Sequence, residues 1–523
     1  MTNTNRMERA ASRLDGWLGA HRRLYLGLAA ALSLATFSGY AHNMFPRIDE
    51  VLELIIVRQS GVKAIWAALM DSIQVDPPVL DSALHFLFRI FGEHVFLARL
   101  PSVAGFTLVC VSLTCLVWRH APPVYAAAVF FLPFSTILRS WGMDMRPYSL
   151  MMGLSALTLL CWDGMEGPRH RTAWRIGFTL SLAATFSTHF YSILLLFALG
   201  CGELVKWIER RRPDWRALLS MGVALIPYLL WTPILFAGSR LYLKHYFYPA
   251  AFQTLDKFYG WAIAGLPMAG LLLALLATAG AMRGGTPAET APREALSNRQ
   301  KALLGVIGGF LLLPVAGFAA GTLFTGFFVP YYHMIATFGV ILGIPLALAM
   351  LSNNNRVAGM TLFAVVLAYG LIIGARGISG FVRIKQEPYP ALSDLRKLIP
   401  ESRPDIVVSS AQNFLPFQDA NRFDAENNLL YLYDASKATK ELGGMNTLDV
   451  GYPRLRGRSN ARIEPYEAYT AAHRRFYLAV MGDMLGIWEW HFHYLLKQGN
   501  TNLHWLGKVG VFDLYRVDLP AAT

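Results

Sequence analysis

Long apolar segments separated by short polar gaps dominate the chain between residues 24 and 375. A helix needs about 20 apolar residues to cross a bilayer, and about 11 segments come near that length. The predicted spans are 24–41, 96–117, 123–139, 147–162, 173–187, 189–207, 217–237, 260–281, 302–322, 333–351 and 357–375. A tight turn at Ser187 and Thr188 separates the fifth span from the sixth. The pattern therefore predicts an α-helical polytopic membrane domain over residues 24–375.

A first long polar gap, residues 42–95, contains two apolar stretches that are too short to cross a membrane. Residues 51–57 and 80–88 each carry apolar side chains along one side of a helix. Such amphipathic segments are typical of helices that lie in the membrane interface. We expect interfacial helices in this first outer loop.

The tail from residue 376 to 523 has lower hydropathy and the patterns of a water-soluble domain. Short alternating or β-branched runs predict strands at 405–410, 428–433, 475–480 and 511–517. Helices are predicted at 391–399 and 487–497. The tail is predicted to be a small α/β domain, and the Gly- and Pro-rich gap 282–300 is predicted to be a disordered linker.

Composition excludes a soluble protein, because 54% of the residues are hydrophobic and 15% are charged. The net charge of +13 does not indicate nucleic-acid binding, since Lys and Arg are spread over the gaps between spans. The four cysteines lie in or at the ends of apolar segments and predict neither disulfides nor a metal site.

The basic residues are unequally divided between alternate gaps, which predicts the orientation. One set of gaps holds Arg119, Arg169, Arg171, Arg175, Lys206, Arg210, Arg211, Arg212, Arg216, Arg283, Arg293, Arg299, Lys301 and Arg356. The short gaps of the other set hold Arg139, Arg146, Arg240, Lys244 and Lys257. We expect a cytoplasmic basic N-terminus (1–23), an uncleaved first anchor and a periplasmic C-terminal domain, as in a bacterial inner-membrane protein.

The first outer loop opens with two adjacent carboxylates, Asp49 and Glu50, just after the first span. Partial desolvation at the membrane boundary would suit a carboxylate to general-base catalysis, and we assign that role to Asp49. The alternative is that the pair only marks the end of the span in water. Farther along the loop, Asp76 precedes two prolines that fix the backbone direction, which suits a ligand or metal contact or simply a helix start.

Charged and aromatic side chains recur on the same predicted face. Arg99 lies at the start of the second span, where a guanidinium needs an acidic partner in the protein or a phosphate of the substrate. The second outer loop contributes Arg139, Asp144, Arg146 and Tyr148. His189 begins the sixth span and is a candidate metal ligand beside these carboxylates.

The order of these motifs resembles a known family over about residues 20–375. The motifs follow one another as in GT-C glycosyltransferases. They are, in order, Asp49-Glu50, Pro77-Pro78, Gly92-Glu93 with Ala98-Arg-Leu-Pro-Ser102, Arg146-Pro-Tyr148 and His189-Phe-Tyr191. The resemblance is to the group of protein O-mannosyltransferases and the lipid A aminoarabinose transferase, and it is closest to the bacterial dolichyl-phosphate-mannose-protein mannosyltransferase-like branch.

This resemblance implies inverting transfer of a sugar from a polyprenyl-phosphate carrier to a glycan, lipid or protein acceptor on the periplasmic face. Asp49 would be the base with Glu50 beside it, and Asp144 would be a second acid near the acceptor or metal. Arg146 and Tyr148 would hold the carrier phosphate, and Arg99 and Arg139 share their face. Asp76 and His189 match positions near where some relatives bind a divalent metal.

Two departures from the family pattern leave alternatives open. The usual His-Pro-Pro is Asp76-Pro77-Pro78 here, so the need for a metal stays open. Many relatives have an Arg-Tyr pair late in the chain, and this chain has Tyr331-Tyr332-His333 in its place. Tyr332 and His333 are therefore the candidate substrate contacts in that segment. No Walker or dinucleotide-binding pattern is present, so no nucleotide is expected.

Two other classes remain as alternatives. A transporter or flippase of a lipid-linked or anionic substrate fits the number of spans, but the chain shows no paired halves. An O-antigen-ligase-like enzyme would need a larger basic outer loop. The sequence does not identify the sugar, the acceptor, the length of the carrier lipid or the oligomeric state.

Overall fold

The structure, a computed structural model of the 523-residue chain, describes most of the sequence. The described residues are 3–242, 250–263, 296–383, 388–402, 404–424, 426–443, 447–481, 489–499 and 502–520. Three predictions fall partly or largely outside them, namely the span 260–281, the linker 282–300 and the first residues of the helix 487–497.

Helices account for most of the described chain. Those before residue 264 are Asn3–Ala20, Arg22–Asn43, Ile48–Val57, Val62–Met70, Val79–Phe91, Val95–Val117, Pro123–Phe131, Leu138–Trp141, Pro147–Gly164, Arg171–Phe186, Leu195–Arg210, Trp215–Tyr242 and Phe252–Ile263. Those after residue 295 are Asn298–Ala320, Thr337–Leu351, Arg356–Ile378, Leu392–Arg396, Ala411–Ala420, Ala435–Leu442, Thr447–Gly451, Tyr466–Ala472 and Trp490–Lys497. Short 3₁₀ helices occupy Leu132–Ser135, Phe190–Leu194, Pro330–Ala336, Ser379–Phe381 and Tyr452–Leu455, and a π-helical turn occupies Gly321–Thr325.

Within the described residues, seven helical segments are long and apolar enough to cross a membrane. They are Arg22–Asn43, Val95–Val117, Phe190–Arg210, Trp215–Tyr242, Asn298–Phe324, Pro330–Leu351 and Arg356–Phe381. Three other predicted spans coincide with helices outside this set, Pro123–Ser135, Pro147–Gly164 and Arg171–Phe186. The polytopic helical class is confirmed, and the chain is a multi-pass membrane protein.

The described chain divides into two compact units. The helical unit comprises Met1–Asn43, His94–Trp231 and Tyr248–Arg383. The sheet unit comprises Met44–Glu93, Thr232–Phe247 and Ile384–Thr523. The first outer loop thus belongs to the same compact unit as the C-terminal segment.

Two helices of the helical unit touch through their backbones. A Cβ atom added at Gly105 would stand 2.4 Å from the carbonyl oxygen of Ser149, and one at Gly153 would stand 2.4 Å from the carbonyl oxygen of Gly105. A side chain does not fit at such distances, so glycine allows the close crossing. The crossing fixes the first turn of Pro147–Gly164 against Val95–Val117.

A six-stranded sheet forms the centre of the sheet unit, with strand order β3-β2-β1-β4-β6-β5. The strands are β1 (Ile406–Val408), β2 (Leu429–Tyr433), β3 (Arg462–Pro465), β4 (Arg475–Val480), β5 (Asn502–Val509) and β6 (Phe512–Asp518). Strands β1 to β4 pair in parallel, whereas β6 pairs antiparallel with β4 and β5. The predicted α/β domain is confirmed, with β3 and β5 in addition to the four predicted strands.

Ion pairs join the first outer loop to the C-terminal part of the sheet unit. Arg58 binds Glu93 at 2.8 Å and Asp419 at 2.9 Å, and Arg422 binds Glu93 at 2.5 Å. Arg458 binds Asp71 at 2.6 Å. The loop therefore packs on the Ala411–Ala420 side of the sheet unit through charged groups as well as through its buried apolar residues.

Candidate active site

The backbone at Arg146 is held by the second predicted span. Ser102 donates a hydrogen bond from its hydroxyl to the carbonyl oxygen of Arg146 at 2.9 Å. Arg146 has extended backbone angles and precedes Pro147, which is the first residue of its helix. Proline suits the first position of a helix because its φ angle is already helical. The N–H group that proline lacks would have no partner within the helix at that position. The motifs Ala98–Ser102 and Arg146–Tyr148 thus meet in the structure.

Arg146 and Tyr148 contact each other directly. The Cζ atom of Arg146 lies 5.4 Å from the centre of the Tyr148 ring, and Nη2 of Arg146 donates to the Tyr148 hydroxyl at 3.4 Å. Tyr148 is buried, whereas Arg146 is half-buried. A guanidinium held on an aromatic ring is orientated for planar recognition of a phosphate or carboxylate.

An aromatic cluster surrounds Tyr148. Its members are Trp141, Tyr148, His189, Tyr191, Tyr331 and Tyr332. Ring centres lie 4.7 Å apart for Trp141 and Tyr148, 4.9 Å for Tyr148 and His189, and 4.2 Å for Tyr191 and Tyr332. The cluster joins three segments that are far apart in the chain, and it brings together four of the predicted site residues: Arg146, Tyr148, His189 and Tyr332.

His189 caps the short helix Phe190–Leu194. Its Nδ1 accepts a hydrogen bond from the backbone N–H of Tyr191 at 3.1 Å. The side chain is 4% exposed. The ring is therefore held in one orientation by the backbone of Tyr191.

His333 lies at the edge of this cluster, 6.2 Å from the ring centre of Tyr191. Its Nδ1 hydrogen-bonds the carbonyl oxygen of Val329 at 3.0 Å, and its ring packs on Phe328 with centres 4.4 Å apart. Its Nε2 lies so close to Gly317 that a Cβ added there would stand 2.0 Å away. These contacts are those of a packed side chain, and its predicted contact with substrate stays a prediction.

Three other predicted site residues belong to the helical unit but are not members of the aromatic cluster. Arg99 is buried and donates from Nη1 to the carbonyl oxygen of Ala41 at 2.7 Å, near the end of the first span. Arg139 donates to the hydroxyl of Tyr369 at 3.0 Å. Asp144 is 1% exposed.

The carboxylates of the first outer loop lie in the sheet unit. Asp49 and Glu50 form the first turn of Ile48–Val57, where the positive end of the helix dipole stabilises acids. Glu50 is buried and accepts a hydrogen bond from the backbone N–H of Arg47 at 3.0 Å. Asp49 is exposed, unlike the partly desolvated base expected from sequence. The side-chain amide of Gln74 donates to the carbonyl oxygen of Asp49 at 3.0 Å and so fixes its backbone.

The two predicted metal ligands lie in different units. Asp76, which is 5% exposed, belongs to the sheet unit, and His189 belongs to the helical unit. Among the described residues, no three His, Cys, Asp or Glu side chains are grouped so that they could hold a metal ion. The divalent metal stays a prediction of the sequence resemblance.

Sequence reasoning left three aromatic residues out of the site. Trp141, Tyr191 and Tyr331 stand beside predicted site residues in the chain and contribute half of the cluster. Their positions next to Arg-Pro-Tyr, His-Phe-Tyr and Tyr-Tyr-His motifs were the available signal. The cluster and the adjacent guanidinium of Arg146 combine aromatic surface with positive charge, a combination that suits an anion with an apolar chain.

Comparison with known proteins supports the fold. No family model and no curated protein sequence matches the chain. The chain is similar to the solved structure of ArnT from Cupriavidus metallidurans in the apo state, with 13% identity, a TM-score of 0.55, and coverage of 96% of this chain and 98% of that chain. ArnT bound to undecaprenyl phosphate gives 13% identity, a TM-score of 0.49 and the same coverage. The oligosaccharyltransferase of Archaeoglobus fulgidus in complex with Zn and sulfate gives 12% identity, a TM-score of 0.42, and coverage of 94% and 72%.

The likeness to apo ArnT extends over nearly the whole of both chains, which includes the membrane helices and the C-terminal sheet. At 13% identity it concerns the fold alone. The chain therefore has the fold of ArnT, and its motifs resemble those of the GT-C glycosyltransferases.

Proposed function

We propose that this chain is an inverting glycosyltransferase that moves a sugar from a polyprenyl-phosphate carrier to a glycan, lipid or protein acceptor on the periplasmic face. The observation that carries the proposal is the contact of Arg146 and His189 with the same buried ring, that of Tyr148. A guanidinium beside an aromatic cluster suits the phosphate of a lipid-linked sugar. The ArnT-like fold supports the same reaction class.

The reaction requires one bond to form and one to break at the anomeric carbon of the sugar. The acceptor hydroxyl oxygen attacks this carbon from the face opposite the phosphate, and the bond from the carbon to the phosphate oxygen breaks. The hydroxyl proton passes to a base, and the carrier leaves as polyprenyl phosphate. Attack opposite the leaving group inverts the configuration.

Arg146 has its largest effect on the leaving group. Negative charge on the phosphate oxygens increases as the bond breaks, so a guanidinium placed at these oxygens stabilises the transition state more than the bound donor. Tyr148 and Tyr332 supply hydroxyl groups and aromatic surfaces in the same cluster. No step of this reaction uses a nucleotide.

Asp49 is proposed as the base. Its carboxylate is exposed, and the hydrogen bond from Gln74 fixes its backbone. The neighbouring Glu50 is buried and caps the helix through the N–H of Arg47, so its carboxylate already has a structural function. Asp144, the buried acid of the second outer loop, is proposed to act near the acceptor.

A donor test decides the reaction class. Purified protein is incubated with a panel of radiolabelled polyprenyl-phosphate sugars, mannose among them, and free polyprenyl phosphate is measured. We expect one donor to be consumed when a membrane extract supplies the acceptor. Passage of intact donor across proteoliposomes, without cleavage of the sugar-phosphate bond, would instead identify a transporter and contradict the proposal.

The proposal also requires the orientation that the basic residues predict, with a cytoplasmic N-terminus and a periplasmic sheet unit in a bacterial inner membrane. Alkaline phosphatase fused after Gly377 is active only on the periplasmic side. We expect high activity from this fusion and low activity from one after Arg212. The reverse result would place the sheet unit in the cytoplasm.

A further inference from the structure

A pocket of about 580 Å³ lies in the helical unit, between the helix Asn3–Ala20 and the start of the helix Arg356–Ile378. Its walls include three residues of the first helix and two at the start of the second, namely Glu8, Arg9, Ser12, Asn355 and Arg356. All five residues are exposed. The pocket is therefore polar and can be entered from outside the protein.

A buried carboxylate orientates Arg356 at this pocket. Nε of Arg356 donates to Oδ2 of Asp15 at 3.0 Å, and Oδ1 of Asp15 accepts the backbone N–H of Val124 at 3.0 Å. Asp15 is 7% exposed, whereas the side chain of Arg356 is 55% exposed. Within the described part of the chain, the two terminal nitrogens of Arg356 donate no hydrogen bond. The guanidinium is thus held through Nε, and its terminal N–H groups can bind a ligand.

Asn355 is also held in place from within the helical unit. The hydroxyl of the buried Tyr125 donates to the carbonyl oxygen of Asn355 at 2.6 Å. The side-chain oxygen of Asn355 caps the helix that follows. Asn353 and Asn354, with φ angles of 49° and 59°, form a left-handed turn before it, a conformation that asparagine adopts more readily than most residues. Because the cap uses the amide oxygen, the amide N–H₂ is the group that this side chain can offer a ligand.

Positive charge predominates beside the pocket. Arg6, Arg9 and Arg13 are exposed along the helix Asn3–Ala20, and Glu8 is the one acid between residues 3 and 14. Guanidinium and amide N–H groups in a fixed arrangement recognise the oxygens of a phosphate. The pocket therefore suits an anion with several hydrogen-bond acceptors.

We infer that this pocket binds the phosphate of an anionic phospholipid headgroup. The helix that begins at the pocket, Arg356–Ile378, belongs to a segment long and apolar enough to cross a membrane, and headgroups surround the ends of such segments. The helix Asn3–Ala20 exposes Met7 and Trp17 as well as its arginines, as helices in the membrane interface do. Basic pockets at the ends of membrane helices bind anionic headgroups. This inference does not depend on the proposed function.

Two variants test the pocket. Ser12→Glu adds a carboxylate at an exposed wall position and leaves the pair of Asp15 and Arg356 intact. The double variant Asp15→Asn with Arg356→Gln replaces the ion pair by two neutral amides, so no unpaired buried charge remains. Arg216→Gln is the control, because Arg216 is exposed and the basic-residue pattern assigns it to the same side of the membrane. Folding of each variant is followed by thermal unfolding in detergent.

The measurement is the binding of dihexanoyl phosphatidylglycerol to the purified full chain in detergent, followed by native mass spectrometry. Phosphatidylcholine with the same acyl chains and inorganic phosphate are the parallel ligands. We expect phosphatidylglycerol to bind about tenfold or more tightly than phosphatidylcholine, whose choline group offsets the charge of its phosphate. We expect Ser12→Glu and the double variant to weaken the binding of phosphatidylglycerol about tenfold, and Arg216→Gln to stay within about twofold of the wild type.

Three results would overturn the inference. They are equal affinities for phosphatidylglycerol and phosphatidylcholine, an unchanged affinity for phosphatidylglycerol in folded Ser12→Glu, and an equal loss in Arg216→Gln, which would indicate general surface charge. Inorganic phosphate that binds as tightly as phosphatidylglycerol would also contradict a lipid headgroup, and it would indicate a soluble phosphate as the ligand.

Discussion

The hydroxyl of Ser102 donates a hydrogen bond to the carbonyl oxygen of Arg146 at 2.9 Å, across 44 residues of sequence. Ser102 ends the Ala-Arg-Leu-Pro-Ser motif, and Arg146 begins the Arg-Pro-Tyr motif. One motif therefore positions the backbone of the other. Because the backbone of Arg146 is held in place, its side chain is positioned over the ring of Tyr148.

Replacing Ser102 with alanine should weaken the binding of undecaprenyl phosphate about two- to tenfold, because one hydrogen bond that orientates Arg146 is lost. The affinity is measured by titration of the purified variant in nanodiscs. Ser155→Ala is the matched control, since the Ser155 hydroxyl binds the carbonyl oxygen of Met151 within its own helix. Equal affinities of the two variants would show that the bond does not orientate Arg146 for substrate.

Arg146→Lys should weaken donor binding about tenfold or more although the charge is kept. An ammonium group is a point charge and cannot make the paired contacts of a planar guanidinium, nor can it lie flat on the Tyr148 ring in the same way. Arg376→Lys, at an exposed position near the end of the last membrane helix, is the control. An unchanged affinity of Arg146→Lys would remove Arg146 from the site.

The membrane helices and four strands were predictable because their signals are local. A span is recognised by the length of its apolar run, and β1, β2 and β4 by short runs of buried apolar residues. In β6 the buried apolar residues alternate with half-buried ones. The strand β3 has four residues and ends in proline, and β5 is a sheet edge with most of its side chains exposed or half-buried. Neither produces the period of a buried strand.

Individual residues of the candidate site could be predicted from the sequence, but the contacts between their side chains could not. Sequence motifs indicated Arg146, Tyr148 and His189, yet the stacking of Tyr191 on Tyr332 depends on tertiary packing. The same holds for the assignment of the first outer loop to the sheet unit, which depends on ion pairs such as Arg58 with Asp419. Such contacts have no local signal in the sequence.

Two buried groups of the sheet unit should oppose each other in the pH dependence of stability. Burial raises the pKa of the Asp449 carboxyl to about 7, although Trp490 and Tyr431 donate hydrogen bonds to it. Burial lowers the pKa of His491 to about 4, although both ring nitrogens lie at carbonyl oxygens, of Leu432 and Ser409.

Between about pH 4 and 6.5, folded Asp449 holds a proton that the unfolded chain has lost, so its contribution to stability falls as pH rises. Folded His491 is neutral in this range while the unfolded imidazole is protonated, so its contribution rises. Asp449→Asn keeps an acceptor for both donors and removes the first effect. We expect the unfolding temperature of this variant to rise from about pH 4.5 to about pH 6.5 more steeply than that of the wild type.

This dependence is measured by thermal unfolding of the full chain in detergent at constant ionic strength. Asp394→Asn, at a half-exposed position in the same unit, should leave the wild-type profile unchanged. Parallel profiles for Asp449→Asn and the wild type would show that Asp449 does not hold a proton in the folded state.

The central claim is that the chain transfers a sugar with Asp49 as the base, and single-turnover transfer by Asp49→Asn tests it most directly. Asparagine keeps the size of the side chain and is accepted in the first turn of a helix, but it cannot take the proton of the acceptor hydroxyl. Glu50→Gln is measured beside it, since adjacent helical residues point about 100° apart. Loss of transfer in Glu50→Gln alone would assign the base to Glu50.

The measurement uses folded protein that has been shown to bind the donor, and it follows the sugar onto the acceptor. We expect Asp49→Asn to bind the donor like the wild type, while transfer slows by a factor on the order of 10²–10⁴. Transfer by Asp49→Asn at nearly the wild-type rate would contradict the account.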